Sequence, residues 1–297
     1  MEKKPVIIDT DLTVDDAVAI AMAARNDVFD IKAITPSGAE TESTKITIEK
    51  LYKLYTMNCR TGQGSLNPLF DAGFDKHNVY GDKAEYEPFL PCCDSTCNEY
   101  AWDIIKDEAV KAGGEMEIIA MGTLTNIAIA LLTYPEIKSL IKRIVCVAGS
   151  GYVGNVLPYS EYNAYSDPYA LKVTFESGVP VVMYGLDGAQ NCSLTQQDIK
   201  GFKPHNEFEA RLADICLKKA ENSENGTVTL NSAVAMAYMK DETLAVVQDY
   251  YVEVETHSIE NKGWTVVDRL GKYKKQPNIK VVTESDKSKF MQILSEK

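Results

Sequence analysis

Histidine is scarce in this sequence, with only His77, His205 and His257 among 297 residues. A Ser-His-Asp hydrolase needs a histidine base beside a strained nucleophile turn, and no such turn pattern occurs, so this type of catalysis has little support. The seven cysteines are odd in number and scattered, and the cluster between residues 92 and 97 lacks zinc-site spacing. We therefore expect free thiols in a reducing cytoplasm.

Positive charge and long apolar runs are also lacking. The chain carries 31 Lys and Arg against 43 Asp and Glu, a net charge of −12, which argues against binding nucleic acid or an anionic membrane. No apolar run approaches the roughly 20 residues needed to span a bilayer. The N-terminus leads directly into a strand, so we expect no secretion signal and a cytoplasmic location. Hydrophobic content of 45% is that of a globular protein, and we predict one domain over residues 1–297.

The hydrophobic pattern predicts an α/β fold. An apolar run at Pro5–Ile8 is typical of a buried strand, and a helical pattern follows it. Strand and helix then alternate at least five times, which predicts a mostly parallel central sheet flanked by helices, a Rossmann-like core. We also predict a strand at Asn58–Thr61. After residue 198 the pattern is mainly helical, with a late antiparallel pair at Tyr250–Glu255 and Trp264–Val267.

Four carboxylates follow the first strand within eight residues: Asp9, Asp11, Asp15 and Asp16. At this position they would gather at the carboxyl edge of the sheet, where open α/β folds bind ligands. Such close like charges need a neutralising cation or raised pKa values. Oxygen-only ligands favour a hard ion, Ca²⁺ or Mg²⁺. The alternative is a solvated helix N-terminus, where acidic residues are favoured without any ligand.

A second polar region follows a later predicted strand. Gly149–Gly154 matches the dinucleotide fingerprint, but Pro158 argues against the helix that this fingerprint requires. The glycines more simply let the backbone approach a small ligand. In the same loop, Asn155, Glu161 and Asn163 have side chains suited to hydrogen bonds with sugar hydroxyls.

These motifs together resemble the inosine–uridine-type nucleoside N-ribohydrolases. The acidic segment resembles that family's DTDPGxDDA signature, and four further motifs follow in the family's order: Gly122–Asn126, Gly154-Asn155 with Glu161–Asn163, Asp167-Pro168, and Gly263–Asp268. The likeness runs through most of the chain. It implies a nucleoside-hydrolase-like fold and a hydrolase that cleaves the N-glycosidic bond of a ribonucleoside or related riboside, in purine or pyrimidine salvage.

The resemblance also implies residue roles. Asp11 and Asp16 would ligate Ca²⁺ with the backbone carbonyl of Thr125, and Asp11 would take a proton from a Ca²⁺-bound water. Asp9 would orient its neighbours. The remaining residues would bind the ribose hydroxyls: Asp15, Asn155, Glu161 and Asn163. Family members are commonly oligomeric, so a homodimer or homotetramer is implied.

The chain departs from the family pattern at three places. Asn231 and Ser232 stand where the family has a His-Asp pair, whose Asp ligates the metal and whose His can protonate the base. A ribose-binding Asn appears as Ala39, and Leu12-Thr13 replaces Pro-Gly. We expect Asn231, or Ser232, still to line the pocket. A nucleoside- or sugar-binding homologue with impaired catalysis therefore stays open.

Two further questions stay open. The segment Asp9–Val14 also fits the DxDxT pattern of haloacid-dehalogenase-like phosphatases, with Gly185–Gly188 as a weak echo of their later acidic motif. In that reading Asp9 would be a nucleophile beside Mg²⁺. The acid that would protonate a leaving base is not identified by pattern alone, and the candidates are His77, Tyr80, Tyr152 and Tyr159.

Overall fold

The structure, a computed structural model, describes residues 3–38, 40–70, 83–92 and 99–296, with residues 83 and 84 described for their backbone alone. The predictions that concern Ala39, His77 and Tyr80 lie outside these ranges. In chain order the strands are β1 Lys4–Thr10, β2 Phe29–Pro36, β3 Met116–Ala120, β4 Ile141–Cys146, β5 Val181–Met183, β6 Leu194–Thr195, β7 Thr227–Val228, β8 Ala245–Tyr250, β9 Val252–Val254, β10 Thr265–Val267 and β11 Ile279–Ser285.

The α-helices alternate with these strands through the first two thirds of the chain. They are α1 Val14–Arg25, α2 Thr41–Tyr55, α3 Lys83–Tyr86, α4 Ala101–Ala112, α5 Thr125–Thr133, α6 Tyr162–Ser166, α7 Pro168–Phe175, α8 Leu186–Ala189, α9 Gln196–Gly201, α10 Glu207–Asn222, α11 Asn231–Lys240 and α12 Lys287–Leu294.

A seven-stranded sheet in the order β2-β1-β3-β4-β5-β11-β8 forms the centre of the molecule. Its neighbouring strands run parallel except for β8, which pairs antiparallel with β11. Because successive side chains of a strand point to opposite faces, β1 contributes to two cores. Val6 and Ile8 pack with α1, α10 and α11, whereas Ile7 packs with α4, α5 and α7. The predicted α/β class with a mostly parallel, helix-flanked sheet is confirmed.

Two predicted elements differ from the structure. No strand forms at Asn58–Thr61, where Arg60 makes only an isolated bridge to Ala33. The C-terminal third is less helical than predicted, because β8 and β11 both join the main sheet. The late antiparallel pair exists as β9 and β10, but it forms a separate small sheet.

The carboxyl edge of the parallel strands brings the predicted site loops together. The acidic loop follows β1, the loop before α5 follows β3, and the polar loop that contains Asn155 follows β4. Helix α1 packs against α11, which brings the start of α11 to the same edge. Within the described ranges, no helix combines the length and apolar character that crossing a membrane requires.

Candidate active site

A cavity of about 580 Å³, counting the solvent-filled space at its mouth, lies at this edge of the sheet. All five predicted substrate-binding residues line it: Asp15, Asn155, Glu161, Asn163 and Asn231. Asp11, Asp16 and Ser232 line it as well. The structure therefore gathers residues from the acidic loop, the loop after β4 and the start of α11, which together span more than 200 positions of the sequence.

Asp16 is the most enclosed carboxylate of the acidic loop. Its Oδ2 accepts hydrogen bonds from the Thr10 hydroxyl at 2.6 Å and the Leu12 amide at 3.1 Å. Its Oδ1 accepts from the Ser232 hydroxyl at 2.6 Å. Ser232 thus reaches the acidic loop directly, in agreement with the expectation that it lines the pocket.

The carboxylates of this cavity raise one another's pKa. Burial raises the pKa of Asp11, and the charges of Asp15 and Glu161 raise it further, while a hydrogen bond with Asp16 opposes the shift. Burial also raises the pKa of Asp16 well above its usual value, and the charges of Asp11 and Asp15 add to this. A buried group of like charges favours a cation or a positively charged transition state.

Asp9 lies inside β1 and acts on its neighbours. Its Oδ2 accepts hydrogen bonds from the Thr35 hydroxyl at 2.6 Å and from Nδ2 of Asn126 at 2.8 Å. The amide oxygen of Asn126 accepts in turn from the backbone of Ser65. Burial raises the pKa of Asp9 to about 6, and these hydrogen bonds oppose that shift. Asp9 has no solvent exposure and does not line the cavity, and its hydrogen bonds join β1 to β2 and to the start of α5.

Glu161 and Asn163 connect the loop after β4 with the start of α6. Glu161 accepts hydrogen bonds from the backbone amides of Gly149, Asn163 and Ala164 at 2.9–3.1 Å. Nδ2 of Asn163 donates to the backbone carbonyls of Met121 and Val147, both at 2.8 Å. These two acceptors fix which end of the amide is nitrogen. The opposite atom, Oδ1, is buried and has no partner among the described residues.

Thr125 lies beside a second cavity that shares Asp11 and Tyr162 with the first. Its hydroxyl donates to Asp167 at 2.7 Å. Asp167 also accepts from two backbone amides, one of which caps α7. Burial raises the pKa of Asp167. Asp167 thus holds the start of α5 near Asp11.

Comparison with known proteins assigns the family. A profile described as "inosine-uridine preferring nucleoside hydrolase" matches residues 6–292. The chain belongs to this nucleoside hydrolase family. The pyrimidine-specific ribonucleoside hydrolase RihA of Escherichia fergusonii is 30% identical to it over 306 residues, which cover 99% of this chain and 97% of the relative. The reaction of this family is hydrolysis of the N-glycosidic bond of ribonucleosides.

Solved nucleoside hydrolases have the same fold. The purine-preferring ribonucleoside hydrolase from Gardnerella vaginalis matches with a TM-score of 0.87 at 27% identity, covering 98% of each chain. The plant nucleoside hydrolase PpNRh1 matches with a TM-score of 0.89 at 23% identity, covering 99% of this chain and 98% of the other. The names of these relatives include both a pyrimidine and a purine preference, so they assign no base to this chain.

The ligand atoms that line the nucleoside hydrolase cavity suit a hard cation. The cavity's oxygen-only groups and converging negative charge suit Ca²⁺. Within the described part of the chain, however, no three His, Cys, Asp or Glu side chains converge as a metal-binding group. Ser232 contributes a hydroxyl where a carboxylate would add charge, and that hydroxyl already donates to Asp16. The residues fit a cation held by two carboxylates and neutral oxygens, which predicts weaker binding than a third carboxylate would give.

Several alternatives from the sequence lack support in this nucleoside hydrolase fold. Asp187 does not line the cavity and instead accepts from the backbone of Gly151 at 2.5 Å, so the phosphatase motif is not assembled. The residues after Gly154 are not helical until α6, which removes the dinucleotide interpretation. Two of the candidates for the acid also lie elsewhere, because Tyr152 packs against Arg269, Tyr159 stacks on Trp264, and neither lines the cavity.

One charged residue of the cavity is not predicted by the sequence motifs. Lys219, in α10, lines the same cavity as the carboxylates. A sequence signal for it exists: the residue lies four positions after Ile215 and seven after Leu212, both of which are buried. A charged residue on an apolar helical stripe is the kind of exception that marks a site.

Proposed function

We propose that this chain hydrolyses the N-glycosidic bond of a ribonucleoside, releasing the free base and ribose, in the cavity lined by Asp11, Asp15 and Asn163. One observation carries the proposal. The cavity is lined by a group of carboxylates and by Asn163, whose side-chain oxygen Oδ1 is buried and has no hydrogen-bond partner among the described residues. A sugar hydroxyl can donate to this oxygen, and the carboxylates favour the positive charge that develops on the sugar in an oxocarbenium-like transition state.

The residues divide the work between binding and chemistry. Asp15, Asn155 and Asn163 accept hydrogen bonds from sugar hydroxyls. Glu161 holds the loop after β4 and the start of α6 by accepting hydrogen bonds from three backbone amides. Asp11 acts as the general base for the attacking water. Asp11, Asp16 and the backbone carbonyl of Thr125 would hold Ca²⁺, with Mg²⁺ as the less favoured ion. When bound, this ion supplies positive charge that makes water easier to deprotonate.

The test is release of free base from a panel of purine and pyrimidine ribonucleosides with Ca²⁺ present, followed by chromatography. Because Asp11 acts as the base, Asp11→Ala is expected to lower kcat at least about 100-fold. Asp27→Ala is the matched control, since it removes the same group at a fully exposed position. If the wild-type chain releases no base from any member of the panel, the proposed function is wrong.

Binding without turnover is a second candidate, favoured by one observation. The hydroxyl of Ser232 donates a hydrogen bond to Oδ1 of Asp16, so this carboxylate oxygen already has a partner within the protein. A binding protein would be thermally stabilised by a nucleoside yet release no base, because a ligand that binds only the folded state raises its stability. Measuring thermal shift and base release on the same samples separates the two functions.

A further inference from the structure

Lys219 stands on the side of α10 that faces the protein interior. The buried side of this helix consists of the apolar residues Phe208, Leu212, Ile215, Cys216 and Ala220 and of Glu209, which pairs with Arg25. Lys219 continues this side and is only partly exposed, whereas the preceding residue, Lys218, is exposed. Removing an ammonium group from water is costly unless a polar site receives it.

Lys219 lines the active-site cavity. Four carboxylates line it: Asp11, Asp15, Asp16 and Glu161. Among the described residues that line this cavity, Lys219 is the one cation. It comes from α10, whereas the proposed sugar-binding residues Asn155 and Asn163 come from the loop after β4 and the start of α6.

We propose that Lys219 is the residue that donates a proton to the leaving base. The proposal rests on the hydrolase function proposed above and adds the acid that the motifs left unidentified. Of the cavity residues at the start of α11, Asn231 has an amide that is not an acid, and Ser232 already donates a hydrogen bond to Asp16. An ammonium group both attracts the electron pair developing on a ring nitrogen and can transfer a proton to it.

The proposed reaction needs no co-reactant other than water. The bond from C1′ to the base nitrogen breaks, and its electron pair stays on the base, which takes a proton from Lys219. The water oxygen bonds to C1′ and gives a proton to Asp11. Solvent then returns one proton from Asp11 to Lys219, and the products are neutral base and ribose.

The test compares two substrates that differ only in their need for an acid. A ribonucleoside has a poor leaving group, whereas 4-nitrophenyl riboside releases an anion that is stable without protonation. Lys219→Met is expected to lower kcat/KM about 100-fold or more on the nucleoside and by less than about threefold on the nitrophenyl riboside. Lys219→Arg should stay slow on the nucleoside, because a guanidinium donates hydrogen bonds but does not give up its proton. Lys218→Met is the matched control and should leave both rates unchanged.

Each other outcome overturns the proposal. An equal loss on both substrates would show that Lys219 serves the sugar or the charge balance, and no loss on either would remove it from the reaction. Full activity of Lys219→Arg on the nucleoside would exclude proton donation. Thermal unfolding verifies that the variants fold, and Lys219→Arg carries the test if Lys219→Met does not. A wild-type chain that cleaves neither substrate overturns the hydrolase function, and this proposal with it.

Discussion

Leu12, in the acidic loop, has a backbone conformation that leucine rarely adopts. Its φ is +57°, and its side chain is almost fully buried at 1% exposure. A left-handed conformation costs a non-glycine residue about 1–2 kcal/mol. The conformation directs the Leu12 amide to the Thr10 hydroxyl and to Asp16. The strain is therefore coupled to the placement of Asp16 in the cavity.

This strain predicts that the usual order of stability of a glycine and an alanine variant is reversed at Leu12. Glycine adopts a positive φ without steric cost, so Leu12→Gly should be more stable than Leu12→Ala by about 1 kcal/mol, although both lose the buried side chain. Leu51 is the control, because it is fully buried inside α2, where glycine costs about 0.5–1 kcal/mol relative to alanine, so alanine should be the more stable residue there. Urea unfolding of the four variants measures the difference. Alanine being the more stable residue at both positions would contradict the assignment of strain to Leu12.

Glu161 predicts a pH dependence of stability. Burial raises its pKa from 4.5 to about 7, its backbone hydrogen bonds oppose this shift, and the charge of Asp15 adds to it. A raised pKa means that the folded state holds the proton more tightly. The contribution to stability is therefore full below about pH 4.5 and is lost as the pH rises through about 7.

The measurement is urea unfolding at pH 5 and pH 8 in the presence of a chelator. The wild-type chain should lose about 2 kcal/mol more unfolding free energy over this interval than Glu161→Gln, which cannot ionise. Glu260→Gln, at an exposed position, should behave like the wild type. Equal pH slopes for the wild type and Glu161→Gln would show that Glu161 does not titrate in this range.

At the scale of elements, the short helix α3 supports the acidic loop. The hydroxyl of Tyr86, at its end, donates to the backbone carbonyl of Leu12 at 2.6 Å and is fully buried. The Tyr86 ring also packs edge-on against Phe208 of α10, with the ring centroids 5.6 Å apart. One side chain thus ties α3, α10 and the loop that carries Asp11 together.

Tyr86→Phe should therefore weaken both stability and substrate binding. Removing the hydroxyl leaves the buried Leu12 carbonyl without this partner, which costs about 1–3 kcal/mol. The loosened acidic loop should raise KM for the nucleoside several-fold. Tyr184→Phe is the matched control, since it removes a buried hydroxyl bonded to Ser285, away from the cavity residues. It should lower stability with KM unchanged, and an unchanged KM in Tyr86→Phe as well would limit Tyr86 to a purely structural role.

Local sequence pattern predicts those elements whose burial follows a regular period. The predicted apolar run Pro5–Ile8 forms β1, which extends beyond it only at its two ends. Strand β8 was not predicted because just one of its faces is partly buried. Strand β11 was not predicted because it pairs with β5, its parallel neighbour, which lies about 100 residues earlier in the chain. The strand predicted at Asn58–Thr61 lacks a partner beyond one bridge. Pairing over such separations leaves little local signal.

The candidate site divides in the same way. Motif spacing placed Asp11, Asp15 and Asp16 together, and their shared cavity follows from the carboxyl-edge rule. Tyr86 and Lys219 were missed because their relation to the site depends on how α3 and α10 pack. Only the interruption of an apolar stripe by Lys219 was visible in the sequence.

At the scale of the whole molecule, the net charge of −12 and the carboxylate cluster act in the same direction. A surplus of acidic residues destabilises the compact state through self-repulsion, and a cation bound in the cavity would relieve its most concentrated part. Any ion that binds the folded state alone stabilises it by mass action, by about 2.7 kcal/mol at a concentration 100 times its Kd. Ca²⁺ should therefore raise Tm by several degrees relative to chelator, and Asp11→Asn should reduce this shift.

For Ser232→Asp we expect lower stability than the wild type in chelator but a larger rise in Tm on adding Ca²⁺. In chelator the variant should be less stable than the wild type, because the introduced carboxylate replaces the hydroxyl that donates to Asp16 and adds repulsion. With Ca²⁺ the same carboxylate adds an anionic ligand, so the Ca²⁺-induced rise in Tm should exceed that of the wild type. Ser139→Asp adds equal charge at an exposed position and should change neither value appreciably. If Ca²⁺ shifts Tm of Ser232→Asp no more than that of Ser139→Asp, the ion does not bind beside Asp16.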